Sequence, residues 1–354
     1  MAPDIPQNSP QAKVLAHKAE IEAAMACVLA SGRYILGEEV AAFEREFAAF
    51  LDVRHAVGVA SGTDAIHIAL RDLGVGSGNL VATVSHTAVA TVAATELAGT
   101  VPLLVDIEPE TYTMDPASLE TVMSRKVKAV IPVNLYGHPA ALASILKIAE
   151  SYGAAVIEDC AQSHGAKFDG RATGTWGRVG AFSFYPTKNL GALGDGGGVV
   201  TSDTELAAKI RSLREYGWRE RYVSSEAGLN SRLDEMQAAI LRVKLRYLEG
   251  ENARRREIAS WYGELLAGLP LTMPTVAEPG THVFHQYVVR TARRDALREH
   301  LRQSGIGALI HYPVPVHLQP AYRDRVMRAE SLAATEAAAR EVLSLPMYPE
   351  LRRD

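Results

Sequence analysis

The sequence predicts an α/β protein. A large domain carries a mostly parallel seven-stranded sheet between helices, and a smaller α+β domain follows it. Three observations carry this reading. From about residue 56 to 201, short β-branched runs alternate with helical stretches, the pattern of a parallel sheet with helices on both faces. Several of those runs are apolar throughout, as strands covered on both sides are. The length of 354 residues corresponds to about two domains at ~150 residues each.

In chain order, the expected strands are Ala56–Ala60, Leu80–Val84, Val101–Val105, Val127–Val133, Ala154–Glu158, Ala181–Phe184 and Gly197–Thr201. Helical stretches at Asp64–Leu73, Thr87–Ala98, Pro116–Ser124 and Ala140–Tyr152 separate the first five. Past Thr201 the texture changes. Asp203–Tyr216 and Leu233–Leu266 read as long helices, His282–Arg290 as a strand, and Arg294–Ser304 and Leu332–Ser344 as helices. A long helix near residue 245 is the expected link, dividing the chain into 1–245 and 246–354. The Arg254–Arg256 triplet reads as a solvated helix face.

Composition narrows the class. Basic side chains number 37 against 41 acidic, a net charge of −4, which argues against a protein built around nucleic acid or an anionic membrane surface. Two cysteines, Cys27 and Cys160, exclude a disulfide scaffold and a Cys-built zinc site, and suit a reducing cytosol. The first ten residues lack the apolar core of a signal peptide. No apolar run approaches the ~18 residues of a membrane span. The expectation is a cytoplasmic protein. None of the eleven histidines has HExxH spacing, so no metal site is expected, and His138 and His164 read as structural.

Three segments look like chemistry. Ser61-Gly62-Thr63-Asp64 follows a strand and opens a helix, where free N–H groups favour an anion; a plain helix cap is the alternative. Asp159 ends a strand, at the sheet edge where open α/β proteins bind ligands; a loop cap is the alternative. Lys188 lies between an apolar strand and a stretch with five glycines in positions 191–198. In a partly dry pocket its amine suits Schiff-base chemistry, and Ser183, five residues earlier, offers a hydroxyl to a phosphate; a surface lysine is the alternative. Together these are the parts of a pyridoxal phosphate site: an anion cradle, an acid for the ring nitrogen and an amine for the aldehyde.

The ordered motifs go further. Gly32–Gly37 (GRYILG), Phe43-Glu44, Ser61-Gly62-Thr63, Glu158–Gly165 (EDCAQSHG), Ser183–Lys188 (SFYPTK), Gly228–Asp234 (GLNSRLD), His311-Tyr312-Pro313 and Leu345–Pro349 (LPMYP) resemble the DegT/DnrJ/EryC1/StrS sugar aminotransferases. These are pyridoxal phosphate enzymes of fold-type I. The resemblance implies that Lys188 carries the cofactor and moves the proton, Asp159 partners the pyridine nitrogen, and Gln162 flanks the ring. It implies that Gly62, Thr63, Asp64 and Ser183 cradle the phosphate, joined by Asn230 from the neighbouring subunit of a homodimer. Tyr185, Arg232, His311 and Tyr312 match positions near the substrate.

The implied reaction converts a keto sugar, a nucleotide-linked 3-keto or 4-keto deoxysugar, to its amino sugar. Glutamate is the expected donor and pyridoxamine 5'-phosphate the intermediate form of the cofactor. A keto-inositol is the alternative acceptor. The family's sugar 3-dehydratases carry histidine where Lys188 stands, and an intact Lys188 and Asp159 speak against a non-catalytic regulator. One departure matters: Thr87-Ala88-Val89-Ala90 lacks the aromatic residue that relatives stack on the ring. His86, two residues before Ala88, is expected to take that place, because i and i+2 share a face on extended chain. Gly78-Asn79-Leu80 replaces a Gly-Asp-Glu turn, and the sequence ends at Asp354, where relatives usually continue into another helix.

Overall fold

The computed structural model describes residues 4–353. Met1–Pro3 and Asp354 lie outside the described residues, and the readings made of the first ten residues and of the chain end fall partly on them. The fold is α/β. Seven strands match the expected runs to within two or three residues: β1 His55–Val59, β2 Leu80–Val84, β3 Val101–Val105, β4 Val127–Ile131, β5 Ala155–Asp159, β6 Val179–Ser183 and β7 Gly197–Thr201. Further on come β8 Tyr287–Arg290, β9 Met327–Arg328 and β10 Val342–Leu345. The main sheet runs β1-β7-β6-β5-β4-β2-β3-β9. Its pairs are parallel except that β7 is antiparallel to both neighbours. The sheet thus has eight strands rather than seven, because two residues of the C-terminal part add to its edge at β3.

Helices on both faces explain the unbroken apolar strands. On one side α4 (Gly62–Asp72), α5 (Val89–Leu97) and α8 (Thr204–Leu213) cover the sheet, with Ile66, Leu70, Val81, Ile157 and Val199 in one cluster. On the other, α6 (Pro116–Val122) and α7 (Leu142–Tyr152) pack Leu119, Leu142 and Ile145 against Val84, Val105 and Val130. A third cluster joins Phe43 and Phe47 of α3 (Glu38–Leu51) to Phe182, Phe184 and Leu233, with the rings at right angles: Phe47 meets Phe182 at 5.1 Å and 88°. That edge-to-face geometry is favoured by the ring quadrupoles. Local signals set the ends. Asp115 caps α6 through Ala117 N–H at 2.8 Å with Pro116 in the first turn. Gly153 ends α7 at φ 70°, a conformation that glycine adopts without penalty.

Four readings are corrected. The helix expected over Leu233–Leu266 is two helices, α9 Glu235–Leu245 and α10 Leu248–Leu265. The strand expected from His282 begins at Tyr287, because His282 and His285 turn inward, and the His282 ring stacks on Phe284 at 4.0 Å. The helix expected over Leu332–Ser344 is α12 Ala333–Glu341, and the apolar Val342–Leu345 leaves it to pair with β8. Within the arginine triplet, Arg255 is 2% exposed and donates to the carbonyls of Phe284 and Met347 at 3.1 and 3.0 Å. Its guanidinium joins α10 to the chain end instead of facing solvent.

The N-terminal segment folds back on the rest. Ile5 bridges Ile306 just after α11 (Arg294–Gln303). Two helices follow, α1 Pro10–Ala16 and α2 Lys18–Ser31. Among the described residues no helix is long and apolar enough to cross a membrane.

Candidate active site

The carboxyl ends of β1, β2, β5 and β6 converge on one cavity of about 250 Å³. After β1 the chain turns at Ser61, whose hydroxyl accepts the Asp64 N–H at 3.1 Å and caps α4. This leaves the first N–H groups of the helix facing the cavity. Gly62 is needed for close approach: a Cβ there would lie 2.6 Å from Ser183 Cβ. Gly197 of β7 is more constrained still, since a Cβ would lie 2.2 Å from the Ser61 carbonyl oxygen. The turn is thus pressed between the ends of β6 and β7, with the Ser183 hydroxyl beside it. This is an anion cradle in shape and chemistry.

Asp159, 5% exposed, ends β5 and enters the cavity from the opposite side. Its Oδ1 accepts the Ala161 N–H at 3.1 Å and its Oδ2 the Thr91 hydroxyl at 2.8 Å. Thr87 and Thr91 hydroxyls lie 3.1 Å apart; since Thr91 donates to Asp159, Thr87 donates to Thr91. Burial pushes the Asp159 carboxyl above its usual range, while Ala161, Thr91 and Lys188 pull it back. Donors placed around the carboxyl thus favour its charged form against the push of burial.

Lys188 sits in a tight loop after β6. Its N–H donates to the Tyr185 carbonyl at 2.9 Å, and the loop closes with Ala192 N–H to Phe184 O at 2.8 Å. Burial draws the amine from 10.5 down to about 8, against the pull of Asp159. An amine in that range is part neutral near physiological pH, so it can attack a carbonyl and shuttle a proton.

Gly62, Thr63, Asp159, Gln162, Ser183, Tyr185 and Lys188 all line the cavity. Gln162 is fixed at both ends, accepting the Tyr136 N–H at 2.7 Å and donating to the Tyr312 hydroxyl at 3.0 Å. Burial pushes the Tyr312 phenol up to about 12, so it stays a neutral donor. A larger cavity of about 1080 Å³ lies alongside, sharing Tyr185 and lined further by Asn8, Thr187, Gln286, Arg298 and His311. His311 hydrogen-bonds the Ser344 hydroxyl at 2.8 Å, and burial together with Lys188 holds its imidazole down at about 4. Arg232 is half-buried and Asn230 exposed, the latter bridged to Glu215 at the start of an outward loop; neither lines either cavity in this single chain.

Two expected cofactor residues are engaged elsewhere in this chain. His86 is fully buried and does not line the cavity, with Nε2 2.7 Å from the Tyr136 hydroxyl. That hydroxyl donates to the His311 carbonyl, so it accepts from His86. Rings of Tyr112, Tyr136 and Tyr312 surround the imidazole at 6.1–6.4 Å, and Ala88 is left lining the cavity. The extended alternation that would have aimed His86 at the ring ends with β2 at Val84. Asp64 is held by its own turn: its N–H donates to the Ser61 hydroxyl at 3.1 Å, and its carboxylate accepts the Ser231 hydroxyl at 2.7 Å. Sequence reasoning missed Thr91. Its signal is the run Thr87, Thr91, Thr95, hydroxyls every fourth residue leading into and along α5.

The residues present fit pyridoxal phosphate. The glycine-walled cradle suits a phosphate, the buried Asp159 suits a protonated ring nitrogen, and the Lys188 amine suits the aldehyde.

Residues 16–354 match the DegT/DnrJ/EryC1/StrS aminotransferase family. The dTDP-3-amino-3,4,6-trideoxy-alpha-D-glucose transaminase of Streptomyces venezuelae is 49% identical over 337 residues, 95% of this chain and 89% of that protein. The UDP-N-acetyl-3-dehydro-alpha-D-glucosamine 3-aminotransferase of Acidithiobacillus ferrooxidans is 44% identical, covering 95% of this chain and 90% of that one. The crystal structure of S. venezuelae DesV in complex with a ketimine intermediate superposes with a TM-score of 0.97 at 48% identity, covering 99% of this chain and 95% of that one.

Proposed function

The chain belongs to the DegT/DnrJ/EryC1/StrS aminotransferase family, and from that premise we propose that it aminates the ketone of a nucleotide-linked 3-keto or 4-keto deoxysugar, with glutamate as donor. It is a pyridoxal phosphate-dependent transaminase. The observation that carries the reading is the meeting of Lys188, Asp159 and the Ser61–Thr63 turn on one cavity. Bound pyridoxal phosphate supplies an electron sink for the carbon that loses or gains a proton.

The chain's own groups do the rest. Lys188 holds the cofactor and carries the proton between the two sides of the reaction. Asp159 would partner the ring nitrogen and favour its protonated form, with Thr91 and Ala161 donating to the Asp159 carboxyl. Gly62, Thr63 and Ser183 would hold the phosphate, and Gln162 would flank the ring. Tyr185, shared by the two cavities, marks where a sugar passes from one to the other, and the larger cavity has room for the nucleotide. His311, Tyr312 and Arg232 are assigned to the substrate side. Named relatives act on dTDP- and UDP-linked sugars, which leaves the keto-inositol reading with less support.

We read the enzyme as a cytoplasmic homodimer with shared sites. Asn230 is exposed, as a residue reaching a partner's phosphate must be. The division into a large domain and a small one is placed near residue 245, at the break between α9 and α10. A separate apolar cluster of Ile258, Tyr287, Val289, Leu343 and Met347 supports it.

The test is direct. The purified enzyme is incubated with glutamate and, in turn, dTDP- or UDP-linked 3-keto and 4-keto sugars and a free keto-inositol. An amino sugar from a nucleotide-linked ketone supports the proposal, and turnover of the cyclitol alone refutes it.

A further inference from the structure

The loop that carries Lys188 is tied to the sheet only at its base. Its internal bonds, Lys188 N–H to Tyr185 O and Ala192 N–H to Phe184 O, leave the carbonyls of Thr187, Asn189 and Gly191 unused. Each of these is taken by a side chain from outside the sheet. Asn8 Nδ2 donates to Thr187 O at 3.3 Å, Lys13 Nζ to Asn189 O, and Lys244 Nζ to Gly191 O at 2.7 Å. Two donors come from the N-terminal segment and one from α9. The three carbonyls alternate along the chain on either side of Lys188.

Two of the donors are costly to place there. Lys13 is 4% exposed and Lys244 1%, and burying an ammonium costs several kcal/mol before pairing offsets it. Glu251 offsets part, at 2.6 Å from Lys13 Nζ. A neutral side chain could cap a carbonyl at less expense. What an ammonium adds is a charge-assisted bond, about twice as strong as a neutral one. Asn189 is further fixed by its side chain, which donates to Asn252 Oδ1 at 2.8 Å and to Val283 O at 3.1 Å. The residue next to Lys188 is thus held through both its main chain and its amide.

We propose that Lys13 and Lys244, assisted by Asn8, are positioning residues for Lys188, clamping the alternate carbonyls of its loop so that its amine is aimed at one point in the cavity. The inference rests on the reading of Lys188 as the cofactor-bearing lysine. A misplacement of about 1 Å at such a group costs about a hundredfold in rate, which gives a buried clamp its purpose.

The variants are Lys13→Met, Lys244→Met, Lys244→Arg and Asn8→Ala. Amide hydrogen exchange across residues 185–194 is measured in the cofactor-free protein, and kcat and the donor KM in the holoenzyme. The clamp predicts exchange about tenfold faster in this loop alone, and kcat about tenfold lower with the donor KM within about threefold, in Lys244→Met. Lys244→Arg is expected to recover most of both. Unchanged exchange overturns the clamp, and faster exchange with unchanged kcat overturns its positioning role. If a buried methionine prevents folding, Asn8→Ala, at a half-buried position, decides in the same terms. Borohydride mapping of the wild-type holoenzyme separates the two levels. A label on another lysine removes the parent reading, whereas the exchange result bears on the clamp alone.

Discussion

Thr91 donates its hydroxyl to Oδ2 of Asp159 at 2.8 Å across the groove between α5 and β5. The bond joins a helix that lies over the sheet to the acid at the sheet's edge. It is one of the donors that oppose the upward push of burial on this carboxyl. Thr91→Val keeps the shape and removes the donor, so Asp159 titrates at higher pH. The acid limb of the kcat/KM profile then moves upward, and cofactor affinity falls about tenfold, the worth of one charge-assisted hydrogen bond. Equilibrium dialysis with pyridoxal phosphate and a pH–rate series check both.

Lys188→Ala is expected to abolish transamination while leaving the protein folded, because the side chain's work is chemical. Borohydride reduction of the holoenzyme followed by peptide mapping should label Lys188 alone. A label on Lys167 or Lys209 contradicts the assignment.

In the cofactor-free protein Lys188 titrates at about 8 against 10.5 when unperturbed. Between those values the unfolded chain binds the extra proton, so this group makes stability rise with pH there; below about 8 both states carry the proton and its slope vanishes. Urea unfolding of wild type and Lys188→Met at pH 7 and pH 10 measures the difference. Wild type is expected to gain relative to the variant at pH 10. The rate at which the free amine captures pyridoxal phosphate should climb through about pH 8.

Asn230→Ala and Lys188→Ala subunits, each inactive alone, are expected to regain part of the activity when mixed. One site in each heterodimer then holds both native residues. Mixtures that form heterodimers and stay inactive place Asn230 outside the partner's site.

Glu235 is a stability element. Its carboxylate, 3% exposed, accepts the N–H groups of Gly37, Glu39 and Val40 at 2.7, 3.0 and 2.9 Å and so caps α3 from α9. Glu235→Ala strands these donors and is expected to cost about 2–4 kcal/mol, read as a lowered urea midpoint.

The sheet was legible because a strand buried on both faces has little chemistry open to it: β2, β3 and β7 are apolar or β-branched along nearly their whole length and match to the residue. Motifs at strand ends were legible for a related reason, since Ser61, Asp159, Ser183 and Lys188 interrupt apolar runs with polar groups. What stayed hidden depends on long-range packing. Nothing at Arg246-Tyr247, neither glycine nor proline, signals the break between α9 and α10. Arg255 cannot be told from Arg254 and Arg256 until the carbonyls of Phe284 and Met347 arrive from elsewhere in the chain. The surroundings of His86 were hidden for the same reason: local alternation ends with β2, and beyond it a ring of tyrosines claims the imidazole.

The pressed contact between Gly197 and Ser61 bears on how this enzyme can change over generations. At 62 and 197 the alphabet is reduced to one letter, because any side chain would push the anion cradle off the sheet. Drift in what the enzyme accepts is therefore channelled to the open side of the cavity. There Ala88 is half-buried and Tyr185 exposed, both lining the cavity rather than pressed against the sheet.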